Sequence, residues 1–567
     1  MTLLRLLPAS VLAVALAVAA QAQGTVAAGT VQQGAQQTQQ FEQLQRQLQR
    51  RGDPTHPEIA HPGAAPAPGA PAGPSFHLNH IATNASAILT PAQIASVTDR
   101  YRNREVTLAD LQRAVVELNR LYAKQGIITA RAVLPRQQVE NGVVHIELIE
   151  ARLDRIAIVG ARGTLPSFFL SRIHARPGQL LRLDALRHDL ILLNNGNGLQ
   201  ARALLRPGPR FGTTDLVVEV QEPEPLAPSF DDVGRASVGL RRLGLNASDA
   251  SVLGDQDALS LNTSWATGTL SEAASYSVPL TAGGTRLTVG ADYAGIRILS
   301  GQLQTLGITG RSVDASVGVS RPLVAREGFL FTGSAALRVM KTSTDSAGVA
   351  LSQQFVQAGE LGGTLQGFDR GGAWIASGLL DFGTLDVAGR HWFAKDSVSL
   401  VRQETMGGGV TGLLRFTGQS RLRAPSAGLP LVEQLQLGGI STVRGYPEGW
   451  QIGDVGYALT TEVDYPLPLR QYFFGGWFSR GLEGSVFLDH GGIFGLPGAH
   501  SGPHATPRDL YLTSAGLGVV FNAPYLAGRL DWAAPLENRA GLPKVGFDFY
   551  LQPRPPTSWL AFWRKRG

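Results

Sequence analysis

Cysteine is absent from this sequence of 567 residues. Its absence excludes disulfide frameworks, thiolate zinc sites and cysteine nucleophiles. Charged residues are also scarce, at 17%, yet 43% of the residues are hydrophobic, which is too many for a disordered chain. The 68 glycines follow no G-x-y period, so the chain is not collagen-like. A chain of this length allows roughly three or four domains of ~150 residues each.

Long apolar runs are missing after the N-terminus. No later stretch reaches the ~18 apolar residues that a transmembrane helix needs. At the N-terminus, Arg5 precedes an apolar stretch over residues 6–20, and Ala20-Gln21-Ala22 has the small-x-small pattern of a cleavage site. The stretch is short and no stop-transfer pattern follows. The sequence therefore predicts a signal peptide over residues 1–22 and an exported mature protein.

Enzyme motifs are missing as well. The sequence contains no H-E-x-x-H, no G-x-S-x-G and no Walker motif, so we expect no catalytic residue, metal or cofactor. Gly407, Gly409 and Gly412 match a dinucleotide-binding pattern, but they lie between strand-like runs and predict a turn. An isoelectric point of about 9.6 can indicate a protein that binds nucleic acid. The arginines are dispersed along strand-like segments, so nucleic acid is not an expected partner.

Two low-complexity segments follow the signal peptide. Residues 31–52, within the segment 23–52, are rich in Gln and Arg, with Phe41, Leu44 and Leu48 at helical spacing. This composition fits either a disordered tail or a polar helix that needs wet surroundings. Residues 53–75 are rich in Pro, Ala and Gly, which predicts an extended, semi-stiff linker.

A β-α-α-β-β pattern then occurs twice, over residues 76–151 and 152–224. In the first unit, Thr107 and Asp110 begin a helix whose apolar residues fall on one face. Asn141-Gly142 predicts a hairpin turn later in the same unit. The sequence therefore predicts two tandem copies of one small α+β module.

Apolar and polar residues alternate with a period of two over residues 225–552. Val313, for example, is followed by Asp314, and Leu337 by Arg338. A soluble sandwich would have shorter strands and fewer Arg or Asp on the second face. A closed barrel is the only β-structure that spans a bilayer, with apolar residues outside and a wet lumen inside. We therefore expect an outer-membrane antiparallel β-barrel of about 16 strands, in which Arg338, Arg415 and Arg421 are hydrated wall charges.

Two short motifs in the barrel region carry a family resemblance. One reads V-R-G-Y and the other fits F-x-D-x-G. With the order of segments before them, they make the whole chain similar to the TpsB transporters of two-partner secretion, the haemolysin-activator family, and the α+β modules look like POTRA domains. The residues concerned are Val443, Arg444, Gly445 and Tyr446 in the first motif, Phe487, Asp489 and Gly491 in the second, and Asp454 and Glu462 as candidate supporting acids.

The resemblance implies that the V-R-G-Y segment lies on a long loop folded into the barrel, and that F-x-D-x-G lies on an inner strand. Arg444 offers a planar fork of donors and Asp489 a matching carboxylate. An enclosed pair is screened less than a surface pair, and loss of one partner leaves an unpaired charge. We expect Gly445 to permit a tight turn and Tyr446 to pack against the wall.

The resemblance also implies a function. The chain would export an unfolded adhesin-like or haemolysin-like exoprotein that the POTRA domains recognise in the periplasm, for instance by adding a strand to a sheet edge. Residues 23–52 would plug the resting pore, and the barrel assembly machinery would insert the barrel. Two alternatives remain: an assembly or insertion factor of the related POTRA-barrel superfamily, and a passive porin. The tail over residues 553–567 is a departure, being either an extra periplasmic segment or a sign that the last strand, ending near Leu551, is misplaced.

Overall fold

The computed structural model describes residues 59–60, 74–196, 198–301, 303–386, 389–425, 428–467, 481–495, 509–523, 526–537 and 546–553. The predicted signal peptide, the plug helix, most of the linker and the tail after Pro553 lie outside these residues. The chain divides into two compact units. One contains Pro54–Pro223 with Ala325–Glu327, and the other includes Glu224–Val324 and Gly328–Gly567.

The first α+β module has two capped helices over a small sheet. Its elements, which follow the short linker strand β1 (Ile59–Ala60), are β2 (Phe76–Leu78), β3 (His80–Thr83), α1 (Pro91–Thr98), β4 (Arg104–Val106), α2 (Leu108–Lys124), β5 (Ala130–Val133) and β6 (Val143–Glu150). The sheet order is β3-β6-β5, with β3 parallel to β6. Thr107 and Asp110 form a reciprocal capping box, in which the Asp110 carboxylate accepts a hydrogen bond from the Thr107 N–H at 2.8 Å. Hydrogen bonding from Thr107 holds the pKa of Asp110 below its usual value.

The second module has the order β-α-α-β-β, which is also the order of β3, α1, α2, β5 and β6 in the first module. Its elements are β7 (Arg152–Val159), α3 (Pro166–Arg172), α4 (Leu183–Asn194), β8 (Gln200–Pro207) and β9 (Thr213–Gln221). β7 pairs with β9 in parallel, and β9 pairs with β8 antiparallel. The apolar core includes Phe169, Leu190 and Val218, all fully buried. No helix among the described residues has the length and apolarity needed to cross a membrane.

Part of the predicted linker pairs with the second module. Strand β1 lies parallel to β8, with Ile59 opposite Ala203 and Ala60 opposite Leu204. Ile59 packs against the core of the same module. The sheet order is therefore β1-β8-β9-β7, and a segment of the linker forms one edge. The prolines at positions 57 and 62, on either side of β1, favour this extended conformation.

Within the described ranges, sixteen antiparallel strands form a closed barrel, which confirms the predicted fold class. The last strand pairs with the first, Leu551 opposite Phe230 and Tyr550 opposite Asp231. The strands of the wall are β10 (Leu226–Asp231), β11 (Arg242–Asp249), β12 (Ala258–Ala266), β13 (Thr269–Pro279), β14 (Arg286–Arg297), β15 (Ile308–Arg326), β16 (Phe329–Ser346), β17 (Val349–Phe368), β18 (Gly372–Asp386), β19 (Arg390–Thr405), β20 (Thr411–Arg423), β23 (Gly456–Pro466), β24 (Leu482–Ile493), β25 (Leu510–Asn522), β26 (Leu526–Pro535) and β27 (Gly546–Pro553), while β21 (Leu435–Leu437) and β22 (Gln451–Gly453) lie in the connection between β20 and β23.

The two faces of the barrel wall differ as the alternation predicts. Val313 is 53% exposed on the outer face, whereas its neighbour Asp314 is 2% exposed on the inner face. Leu337 is exposed in the same way, and Arg338 points inward into ion pairs. The turn at residues 407–409, between β19 and β20, is the glycine-rich segment that resembled a dinucleotide-binding loop. An apolar outside and a polar inside are what a bilayer requires of a β-barrel.

A long loop over residues 424–455 joins β20 to β23. It contains a short 3₁₀ turn (Leu431–Glu433) and the two-stranded sheet of β21 and β22. Side chains of this loop contact inner-face residues of strands as far apart as β16 and β24. The loop therefore crosses the lumen. We call it the lumen loop.

Candidate functional site

Arg444 of the lumen loop and Asp489 of β24 are joined by three hydrogen bonds. The Arg444 side chain donates from Nε to Asp489 Oδ2 at 2.7 Å and from Nη2 to Oδ1 at 2.9 Å. The Arg444 backbone N–H donates to Oδ2 at 3.1 Å. Arg444 is 3% exposed and Asp489 is 0% exposed. The bidentate geometry gives this pair both strength and orientation.

The three residues of the F-x-D-x-G motif act together because they alternate onto one face of β24. The ring of Phe487 lies under the Arg444 guanidinium, with Cζ 3.4 Å from the ring centroid. Gly491 leaves room for the loop, since a Cβ there would lie 3.2 Å from Leu437 Cδ1. Gly516, opposite Phe487 on β25, leaves room for the Phe487 ring in the same way. In this motif Phe487 supplies the ring that stacks on Arg444, Asp489 supplies the carboxylate, and Gly491 leaves the space that the loop occupies.

Val443 and Gly445 of the V-R-G-Y motif place the arginine between them. Val443 is fully buried and packs with Leu437 and Leu512. Gly445 has φ +82°, and a Cβ there would lie 2.9 Å from the Ala533 carbonyl oxygen. Only a glycine allows the backbone to turn in this way so close to the wall.

Tyr446 is the fourth residue of the motif, and it binds the loop to β25 and to Glu537. Its hydroxyl donates to the Thr513 carbonyl at 3.0 Å and bonds to the carboxylate of Glu537. The chain turns so tightly at Gly445 that Arg444 and Tyr446 both reach the wall. Tyr446 therefore lies against the wall.

Glu462 lies in the same cluster, together with two residues that the sequence reasoning missed. Arg444 Nη1 donates to Glu462 Oε2 at 2.8 Å and to Asp531 Oδ2 at 3.4 Å. Arg529 donates to both oxygens of Glu462 at 2.8 Å, and to Asp531 at 2.6 Å. Arg529 and Asp531 occupy alternate positions on β26, so a search for inward residues of both charge signs on one strand would have found them.

Asp454, the other candidate supporting acid, is not brought to Arg444. Its carboxylate accepts hydrogen bonds from Arg421 Nη1 at 2.7 Å, from Gln434 Nε2 at 2.9 Å and from the Leu429 N–H at 3.1 Å. It therefore fixes the start of the lumen loop against β20. Its role is distinct from that of the acids around Arg444.

The prediction that Arg338 and Arg421 are hydrated wall charges is wrong. Arg421 is bound to Asp454, and Arg338 bonds Glu433 of the lumen loop as well as Glu360 at 2.9 Å. A crossing loop brings acids to these arginines, so both side chains bind protein groups.

Arg415 is not a hydrated wall charge either, contrary to the prediction. This side chain binds the neighbouring strand β23, with Nη2 donating to Thr460 Oγ1 at 3.0 Å. It therefore lies among protein groups close to the charged cluster around Arg444.

Comparisons with known proteins show which family and which fold this chain resembles. Residues 76–151 match the domain model described as POTRA domain, ShlB-type, and residues 212–521 match the family described as haemolysin secretion/activation protein ShlB/FhaC/HecB. The heme/hemopexin transporter protein HuxB of Haemophilus influenzae strain 86-028NP is 23% identical over 476 residues, 79% of this chain and 81% of that protein. The outer membrane transporter CdiB of Dickeya dadantii strain 3937 is 26% identical over 419 residues, 69% of this chain and 73% of that protein. The solved structure of CdiB from Escherichia coli superimposes with a TM-score of 0.62 at 21% identity, covering 92% of this chain and 97% of that one.

Proposed function

This chain belongs to the haemolysin secretion/activation protein family, ShlB/FhaC/HecB, and on that premise we propose how it recognises and moves its cargo. It is an outer-membrane transporter of two-partner secretion with POTRA structure in the periplasm. The cargo of such a transporter is a secreted partner exoprotein. We propose that this exoprotein arrives unfolded, and that the two α+β modules bind it before it enters the barrel.

The observation that carries the recognition step is the pairing of β1 with β8. Edge β8 already accepts an extended segment of polypeptide, in parallel, through its main chain. Main-chain hydrogen bonds tolerate many sequences, as recognition of an unfolded chain requires. β1 has two residues and β8 has eight, so most of this edge has no neighbouring strand among the described residues. An exoprotein segment would extend or replace β1 there.

Transit through the barrel follows from the same proposal. The exoprotein would thread the lumen and fold outside the cell, and this folding would give transport its direction without ATP. The contact of Arg444 with Asp489 would hold the lumen loop in place while the cargo passes. Residues 23–52 would plug the resting pore and residues 53–75 would let the plug leave. The barrel assembly machinery would insert the barrel. The segment boundaries over residues 1–22, 23–52, 53–75, 76–151, 152–224, 225–552 and 553–567 stay predictions.

Membership of a secretion family favours export over the two alternatives that the sequence left open. An assembly or insertion factor shares the barrel and POTRA architecture but has no use for a dedicated exoprotein. A passive porin has no use for periplasmic modules. The family is a transport family, and the relatives described above are transporters by name.

A crosslink across the β8 edge tests recognition directly. The chain has no native cysteine, so Ile59→Cys with Ala203→Cys places one thiol pair at directly opposed positions. In the oxidising periplasm the bond would keep β1 on β8. We expect secretion of the partner exoprotein to fall about tenfold or more, and to return on addition of a reductant.

The two single-cysteine variants are the matched controls, and both should secrete normally. Barrel insertion is monitored in each strain by heat-modifiable mobility on gels. Secretion at the wild-type level from a fully crosslinked, inserted barrel would exclude the β8 edge as the cargo site.

A further inference from the structure

The lumen loop has another polar anchor at Glu433, which binds β16 and β19, whereas Arg444 binds β24. Glu433 is 1% exposed. Its carboxylate bonds Arg338 of β16 and lies 2.8 Å from Lys395 Nζ of β19. Its backbone carbonyl accepts hydrogen bonds from Lys395 at 3.0 Å and from Gln419 at 2.9 Å. Acid on the loop meets base on the wall here, which is the reverse of the arrangement at Arg444.

The wall around Glu433 already holds enough acid for its own cations. Arg338 donates to Glu360 at 2.9 Å and lies 3.7 Å from Asp314 Oδ2, while Lys395 lies 3.6 Å from Asp381. Asp314 Oδ2 is buried without a hydrogen bond, and so is Asp381 Oδ1. A buried acceptor with no partner is unfavourable. Both wall cations therefore have alternative acceptors at hand if the loop acid leaves.

The wall around Arg444 is different. Asp489 is fully buried, and its carboxylate accepts three hydrogen bonds from Arg444. Removal of Arg444 would leave this carboxylate without its bidentate partner, a change that is strongly destabilising for a buried pair. Glu462 and Asp531 would keep their bonds to Arg529, whereas Asp489 would lose its bidentate partner and keep the attraction of the Arg415 charge.

Apolar contacts also hold the Arg444 end of the loop more firmly than the Glu433 end. At the Glu433 end the loop contributes Leu429 and Val432 to a buried cluster with the wall. At the Arg444 end it contributes four residues to another cluster. Burial of apolar area adds to the free energy that holds each end. The four residues at the Arg444 end are Leu435, Leu437, Val443 and Tyr446.

We propose that the lumen loop is a hinged element whose residues 430–433 detach from the wall during transport, while Leu429 stays bound to Asp454 and residues 435–446 stay fixed through Arg444 and Asp489. Glu433 and Arg338 are then the positioning residues of a releasable contact. On release, Arg338 turns fully to Glu360 and Asp314, and Lys395 turns to Asp381. The passage widens beside β16–β19 without loss of the fixed end. This inference rests on the proposed export function.

Thiol accessibility tests the hinge without any exoprotein. Val432→Cys and Val443→Cys each introduce one thiol into a cysteine-free chain, at positions that are 7% and 0% exposed. The full-length protein is reconstituted in vesicles of phosphatidylethanolamine and phosphatidylglycerol and treated with a small water-soluble maleimide. We expect the thiol at position 432 to react at least about tenfold faster than the thiol at position 443. Equal rates, or a faster reaction at 443, would overturn the proposal.

Three charge variants make the test specific to the exchange of acidic partners by Arg338 and Lys395. Glu433→Gln should raise the rate at position 432 about tenfold and leave position 443 unchanged. Glu360→Gln should lower the rate at 432, because Arg338 then loses an alternative acceptor and holds Glu433 more tightly. Asp381→Asn should act in the same direction through Lys395. A rise at 432 with Glu360→Gln and Asp381→Asn, in barrels that show normal heat-modifiable mobility, would contradict the exchange.

Failure of this test is distinguishable from failure of the proposed function. The labelling rates require no cargo, whereas the crosslink across β8 reports only on cargo. A hinge that does not open would leave the β8 result standing, and an excluded β8 edge would leave the labelling result standing.

Discussion

Arg529 donates two parallel hydrogen bonds to Glu462, each of 2.8 Å, so the carboxylate that faces Arg444 is shared between two guanidinium groups. The second guanidinium comes from the wall itself, on β26, with β24 and β25 lying between it and the strand of Glu462. Arg529 neutralises part of the negative charge of Glu462 and Asp531. The remaining negative charge of these acids can bind one further cation. Arg444 is that cation.

A double-mutant cycle should show that Arg529 and Glu462 act as a pair. Arg529→Ala leaves Glu462 and Asp531 to share Arg444 alone, so we expect the barrel to unfold at a lower temperature. Glu462→Gln in the same chain removes part of the uncompensated charge and should restore part of the loss. The expected coupling energy is about 1–3 kcal/mol, measured by heat unfolding of the purified barrel on gels. Strictly additive effects would show that the two residues do not interact.

Replacement of Arg444 by alanine should impair export while the barrel still inserts. The substitution leaves Asp489 buried without its partner, which costs about 3–5 kcal/mol in buried pairs. The loss falls on the docking of the lumen loop, since the barrel strands keep their own hydrogen bonds. Secretion of the partner exoprotein and heat-modifiable mobility are measured side by side.

Arg444→Lys is the matched control for charge. Lysine keeps the cation but has no planar fork, so it does not reproduce the bidentate contact or the stacking on Phe487. We expect export between that of the wild type and that of the alanine variant. Normal export from Arg444→Ala would refute the role assigned to the pair.

Gly445→Ala should disturb the lumen loop more than an equivalent change elsewhere. Its φ of +82° disfavours any L side chain, and the new Cβ would lie 2.9 Å from the Ala533 carbonyl oxygen. Gly408→Ala is the control, since Gly408 has φ +65° and nothing within 4 Å of its Cβ position. Conformational strain is about 1–2 kcal/mol in both, so a larger loss of export at position 445 reports the contact with the wall. Equal effects would mean that strain alone matters.

The sequence predicted the faces of the barrel well because strand alternation is a local property. Val313 and Asp314 lie on opposite faces by the geometry of a pleated strand, whatever the other strands do. The capping of α2 by Thr107 and Asp110 was predictable for the same reason. The motif residues Arg444 and Asp489 were predictable as candidates because a family resemblance placed them.

Contacts of the loop with distant strands were beyond such reasoning. Glu433 and Arg338 are 95 residues apart, and alternation tells only that Arg338 faces inward. Which inward cation meets a loop depends on where the loop crosses the lumen, and this is a property of the closed barrel. The partner of Asp454 was unpredictable for that reason: its position near the motif in sequence says nothing about its contact with Arg421.

Glu222 should make the stability of the second α+β module depend on pH. Its carboxylate accepts hydrogen bonds from the N–H groups of Arg162 at 3.1 Å, Gly163 at 2.9 Å and Thr164 at 2.9 Å. Burial acts to raise the pKa of Glu222, but these hydrogen bonds outweigh it and hold the pKa below its usual value. The charged form is therefore favoured by folding. Its contribution is fully present above the unfolded pKa of about 4.3 and is lost as pH falls through the lower, folded pKa.

Glu222→Gln should remove that pH dependence and lower stability at neutral pH. An amide has one carbonyl acceptor where the carboxylate has two, so at least one backbone N–H loses its bond, at about 1–3 kcal/mol. Glu219→Gln is the matched control, because Glu219 forms a partly exposed pair with Arg202, and such pairs contribute about 0–1 kcal/mol. Urea unfolding of the full chain, followed by far-ultraviolet circular dichroism of helices α1–α4, measures both. If the Glu222→Gln variant loses stability below about pH 4.3 as steeply as the wild type, the carboxylate of Glu222 is not the group that titrates.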